Sequence, residues 1–119
     1  MMKSLHKQIS DSLKTVISNV LRAYPEGKTT LPLITFAEVT NTHVSKWHDE
    51  VEFEIDVYAT TFAEMENKAI EADTVMQGLG FQRTYASPDY SARQDTDFYK
   101  KALNYRATID TYHLNILQE

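Results

Sequence analysis

Apolar and polar residues alternate with different periods along this chain, and each period predicts an element. Over residues 4–24, Leu5, Ile9, Leu13, Val16, Ile17, Val20 and Leu21 recur at spacings of three and four. That spacing marks one apolar face of a helix. Lys7, Asp11, Lys14 and Asn19 lie elsewhere on the wheel, Ser4 can cap the start, and Pro25 and Gly27 stop the run. Such a face needs a surface to dock on, since burying each large side chain is worth roughly 1.5–3 kcal/mol before entropy is subtracted.

A strand is expected over 32–40, with Leu33, Thr35, Ala37 and Val39 alternating against Ile34, Phe36 and Glu38. The polar segment 41–46 reads as a loop. Residues 47–60 carry the clearest pattern of the chain: Val51, Phe53, Ile55 and Val57 point one way, and Glu50, Glu52, Glu54 and Asp56 the other. A second helix is expected over 62–77, with Phe62, Met65, Ala69, Ala72, Val75, Met76 and Leu79 on its apolar side. Thr61 and Glu64 form a capping-box pair at its start, and Gly78 and Gly80 end it. A short strand over 81–86 leads into a polar stretch, 87–97, that reads as a mobile loop. In the last strand, 98–117, Leu103, Tyr105, Ala107, Ile109 and Thr111 alternate with Asn104, Arg106, Thr108, Asp110 and Tyr112.

The order helix, strand, strand, helix, strand, strand predicts an α+β fold. Its simplest packing is a four-stranded, mostly antiparallel sheet with both helices on one face and the acid stripe on the other. A length of 119 residues fits a single domain over 1–119. No repeat of a solenoid or propeller period occurs.

Composition narrows the function. With 42% hydrophobic and 24% charged residues the chain is an ordinary globular mixture, not a disordered one. The absence of Cys excludes disulfides, thiolate metal sites and a Cys nucleophile. A net charge of −5 argues against gripping nucleic acid, although an acidic wall can border DNA that slides past. No apolar run approaches the roughly 20 residues of a membrane span, and the start, Met1-Met2-Lys3-Ser4, lacks the apolar core of a signal peptide. No membrane partner is expected.

Catalytic constellations are missing from the sequence. His6, His43, His48 and His113 show no helical metal-site spacing, and no HExxH, phosphate loop or GxSxG elbow occurs. His43, His48 and Asp49 are the nearest approach to a metal set, and their plain reading is as solvated side chains. The chain is therefore expected not to be an enzyme, with no catalytic residue, cofactor or metal.

The acid row has three readings. Alternate strand residues lie about 6.5–7 Å apart, a separation at which two carboxylates can work as an acid–base pair. That chemistry needs a cleft to raise one pKa, and a short chain offers little to build one. The second reading is the polar solvent face of a half-buried sheet. Four like charges repel, however, unless Arg106 or a Lys on a neighbouring strand softens them. The third reading is a surface selected to be negative, such as a wall that must not hold DNA. Between Glu38 and Asp73 the chain has ten acids against two bases. Aromatics crowd the last third: Tyr85, Tyr90, Phe98, Tyr99, Tyr105 and Tyr112. They suit core packing or a contact patch, and Tyr90, near Asp89 and Arg93, is the candidate for contact.

The layout resembles the small tail completion proteins of tailed bacteriophages, also described as tail terminator or head–tail joining proteins. The resemblance rests on an opening helix followed by Leu31-Pro32-Leu33-Ile34-Thr35-Phe36, and a strand ending in Phe53-Glu54-Ile55-Asp56-Val57-Tyr58-Ala59. It continues through the helix from Thr61, the turn Gly80-Phe81-Gln82-Arg83, a polar loop, and the close Asp97-Phe98-Tyr99-Lys100-Lys101-Ala102-Leu103-Asn104-Tyr105-Arg106. It implies a non-enzymatic wedge that assembles with copies of itself into a ring, commonly a hexamer. The ring ends the tail tube and joins it to the head connector, with DNA passing through without specific binding. The tail tube protein and the head connector protein are the implied partners. The implied location is the virion tail, assembled in the bacterial host cytoplasm. On this reading Glu50, Glu52, Glu54 and Asp56 face the channel. Tyr90, Arg93, Asp95, His43 and Lys46, on the loops 41–46 and 87–97, make subunit or connector contacts. The alternative is a small ligand-binding or regulatory α+β module, which would need a lined pocket between sheet and helices.

Overall fold

The computed structural model describes residues 5–22, 32–45, 47–87, 90–91, 99–110 and 115–117. Its elements run α1 (His6–Leu13), β1 (Val20–Arg22), β2 (Leu33–Ser45), β3 (His48–Ala59), α2 (Phe62–Gly78), β4 (Gln82–Ala86), β5 (Tyr90–Ser91), β6 (Tyr99–Asp110) and β7 (Asn115–Leu117). One sheet joins all the strands. Its main path is β1-β2-β3-β6-β4, and the short β5 and β7 pair with β6. Every pairing is antiparallel except β1 with β2. The α+β class and the mostly antiparallel sheet are as expected. The main path has five strands rather than four.

The main core lies on one face of the sheet, and Leu33, Thr35, Asp56 and Tyr58 are buried on the other. Val51, Phe53, Ile55 and Val57 of β3 and Leu103, Tyr105, Ala107 and Ile109 of β6 are buried together. Leu5, Ile9 and Leu13 of α1 and Ala69, Ala72 and Met76 of α2 close over them. Both helices thus cover the same face. Phe53 sits at the centre, edge-on to Phe81 with ring centroids 5.8 Å apart and to His6 at 5.5 Å.

The first helix is shorter than its apolar period suggests. It ends at Leu13, where the β-branched run Thr15-Val16-Ile17 begins. Branching at Cβ restricts rotamers in a helix, and Thr15 Oγ1 instead donates to the Ser12 carbonyl at 2.7 Å. The chain then extends into β1, parallel to β2. The apolar spacing persists across the change, so Ile17 and Val20 still reach the core.

The second helix follows its sequence signals closely. Thr61 Oγ1 accepts from the Glu64 N–H at 3.2 Å. At the other end Gly80 takes φ 106°, a conformation that other residues avoid. The Phe81 N–H then donates to the Met76 carbonyl at 3.1 Å and the Gly80 N–H to Gln77 at 3.0 Å. This pair of hydrogen bonds, with Phe81 and Met76 both buried in the core, is a Schellman ending.

Three loop and strand expectations change. The polar segment 41–45, expected as a loop, continues β2 and pairs with β3 up to Ser45 opposite His48. Its residues are polar because β2 from Glu38 to Ser45 is exposed on both faces, not because the backbone turns. The segment 87–97, expected as one loop, contains β5, where Tyr90 pairs with Lys100. The single last strand is a pair, since β7 folds back antiparallel on residues 108–110.

Candidate functional site

Strand β3 lies between β2 and β6, so its outer side chains meet neighbours from both. With Val51 to Val57 turned into the core, Glu50, Glu52, Glu54 and Asp56 occupy the opposite face. In register, Glu50 lies between Thr42 and Thr108, Glu52 between Thr40 and Arg106, Glu54 between Ala37 and Asn104, and Asp56 between Thr35 and Ala102. Glu52 accepts from the Thr40 hydroxyl at 2.8 Å. Arg106 stands directly across from Glu52, and Lys100 Nζ lies 3.7 Å from Asp56. Lys100 thus lies within ion-pair distance of the row, and Arg106 stands beside it in register.

The four acids are not equivalent. Glu50, Glu52 and Glu54 are half-buried, whereas Asp56 is 8% exposed. Burial, reinforced by the neighbouring Glu54 and opposed by Lys100, pushes the Asp56 carboxyl up to about 7. Its Oδ1 and the Oδ1 of Asn104 are buried without a hydrogen-bond partner. Three half-buried glutamates and the buried Asp56 thus run along this face, among Thr, Asn, Lys and Arg neighbours.

His43 and His48 do not converge, and His113 lies outside the described residues. His43 Nδ1 meets Asp49 at 2.5 Å near the tip of the β2–β3 hairpin. His48, one residue before Asp49, faces the other way and bonds Ser45 Oγ at 3.0 Å. Among the described residues no three potential metal ligands cluster. Of the expected contact residues, His43 is exposed on β2 and Tyr90 lies on β5, while Arg93, Asp95 and Lys46 lie outside the described residues.

One feature escaped the sequence. Asp73 on α2 gathers three donors: the Tyr105 hydroxyl at 2.7 Å, Arg83 Nη1 at 2.9 Å and Gln77 Nε2 at 2.7 Å. Burial and this carboxylate hold the Tyr105 hydroxyl well above its ordinary pKa. Beside the cluster runs an open groove of about 320 Å³ between α2, β4 and β6, bordered by Ile70, Ala86, Lys101 and Leu103. Only the mixture of Asp73 with apolar neighbours at helical spacing hinted at it. The groove lies at the sheet's margin. Among the described residues, buried core side chains lie between sheet and helices.

A two-helix layer on one face of a mostly antiparallel sheet, with the other face acidic, is the fold that comparison can test. No protein-family model matches the chain, and no curated protein matches it. Among solved structures it is similar to a chain in the virion of a native gene transfer agent (GTA) particle. The match has a TM-score of 0.67 at 14% identity and covers 86% of this chain and 91% of that one. At such identity the likeness is one of fold.

Proposed function

We propose that this chain is a structural virion protein that ends a tail tube and joins it to the head connector as a ring of copies. What supports the reading is the fold shared, over most of both chains, with a component of a gene transfer agent virion. The acidic outer face agrees with it. A negative wall in a channel repels phosphate and lets DNA pass without being held. Glu50, Glu52 and Glu54 are the wall residues in this reading, with Asp56 beneath them. The role is one of shape and charge, with no bond made or broken.

The test is to delete the gene from a particle-producing strain and view the products by electron microscopy. Filled heads and separate tails, restored to joined particles by the gene supplied in trans, are expected. Joined particles of normal yield in the deletion strain would refute the reading.

A further inference from the structure

Among the described residues, the sheet has two margins that its own strands leave open. Strand β1 covers β2 only opposite Ile34, Thr35 and Phe36. Beyond Phe36, among the described residues, no strand lies on the outer side of β2. At the other margin β4 is the last strand of the path, and all five of its residues are exposed.

Natural edge strands are commonly guarded by charge. Residues 39–45 contain no Asp, Glu, Lys or Arg. The one charged residue of β4, Arg83, is drawn to Asp73 on α2. Bulges near Val39 and Val44 interrupt β2 but leave regular strand between them. The same projecting hairpin exposes apolar side chains: Val39 and Val44 at 55% and Trp47 at 47%. The other margin offers the complement, the groove between α2, β4 and β6, where Ile70 is 61% exposed.

These halves cannot meet within one molecule. Strands β3 and β6 separate β2 from β4, a distance of about 14 Å at ordinary strand spacing. We propose that copies of this chain join head to tail, residues 39–45 of one copy adding as a strand to the β4 edge of the next. The arm's valines then rest against the neighbour's groove beside Ile70. Strand addition supplies main-chain hydrogen bonds, and the groove selects the register. The contact is heterologous, so repetition closes a ring if the rotation per copy permits. The inference deepens the ring reading above by naming the contact.

The chain's lack of Cys makes the test direct. Thr42→Cys with one tag and Thr84→Cys with another are mixed at high concentration and treated with a short bis-maleimide, whose reach tolerates a small register shift. A mixed-tag dimer is expected in excess over either same-tag dimer. A version carrying both cysteines should give a covalent ladder. Val44→Lys in the first partner, or Ile70→Lys in the second, should cut the mixed dimer about tenfold, the response to losing one central contact. Both positions are exposed, so unchanged circular dichroism should accompany the loss. Same-tag dimers of Thr42→Cys as the main product, or no mixed dimer, overturn edge pairing. Mixed dimers indifferent to both lysines overturn the groove seating. The deletion phenotype above is read independently, so loss of the contact and loss of the tail role are distinguishable.

Discussion

Asp56 is the carboxylate whose surroundings most alter its chemistry. Its pKa is raised from the ordinary value near 3.9 to about 7 by burial and by Glu54. The folded protein therefore holds an extra proton between those two values. Stability falls as pH rises through that window, and the penalty is complete above it. Asp56→Asn removes the charge that burial opposes. The variant should melt like wild type near pH 4 and higher than wild type at pH 8, by roughly 3–6 °C for each kcal/mol recovered. Thermal melts followed by circular dichroism check this. A lower melting temperature at pH 8 would mean that the contact with Lys100 outweighs burial. Tyr105 gives a second case at this scale. Tyr105→Phe deletes the bond to Asp73 but leaves Arg83 and Gln77 in place. A loss of about 1 kcal/mol in urea unfolding is expected, with the fold unchanged. The acid row itself was legible from its period of two. The burial of Asp56 was not, because it depends on which residues of β2 and β6 come alongside.

At the level of elements, what the sequence revealed followed how local the chemistry is. Both ends of α2 could be read because a cap is settled within a few residues. Gly80→Ala forces a methyl into φ 106° and should cost about 1–2 kcal/mol, read as a lower urea midpoint at an unchanged slope. Thr61→Ala should cost about 1 kcal/mol by freeing the Glu64 N–H. The end of α1 was harder to read. The apolar spacing of Leu5, Ile9, Leu13, Ile17 and Val20 suits a helix throughout, and the chain satisfies it with a helix, a turn and a strand in succession. The three-residue β1 owes its existence to a parallel partner in β2, which no local pattern encodes. The segment 41–45 is hard to read for a different reason. Polarity at 41–45 signals exposure, and an exposed edge strand is as polar as a loop.

For the whole molecule, the main core on one face leaves Glu50, Glu52 and Glu54 half-buried on the other, where they can act through their charge. Reversing Glu52 and Glu54 to Lys tests that role with little disturbance beneath. Glu52→Lys loses the Thr40 bond and faces Arg106, a cost of roughly 0.2–1 kcal/mol for like charges across a strand pair. Glu54→Lys acts in the opposite sense, because it removes the carboxylate that raises Asp56 and adds a cation near it. The double variant should therefore fold with near wild-type stability. If the face borders a DNA path, the exchange turns a repelling wall into one that holds phosphate. Particles carrying the variant should then form and join normally but deliver DNA poorly. The isolated variant should also acquire weak DNA binding that fades as salt rises, since such binding is driven by released counterions. Gel-shift titrations at two salt concentrations and transfer assays on purified particles measure the two effects. Normal delivery by joined particles would assign the acid row to solubility, because the negative sign of the face would then make no difference to passage.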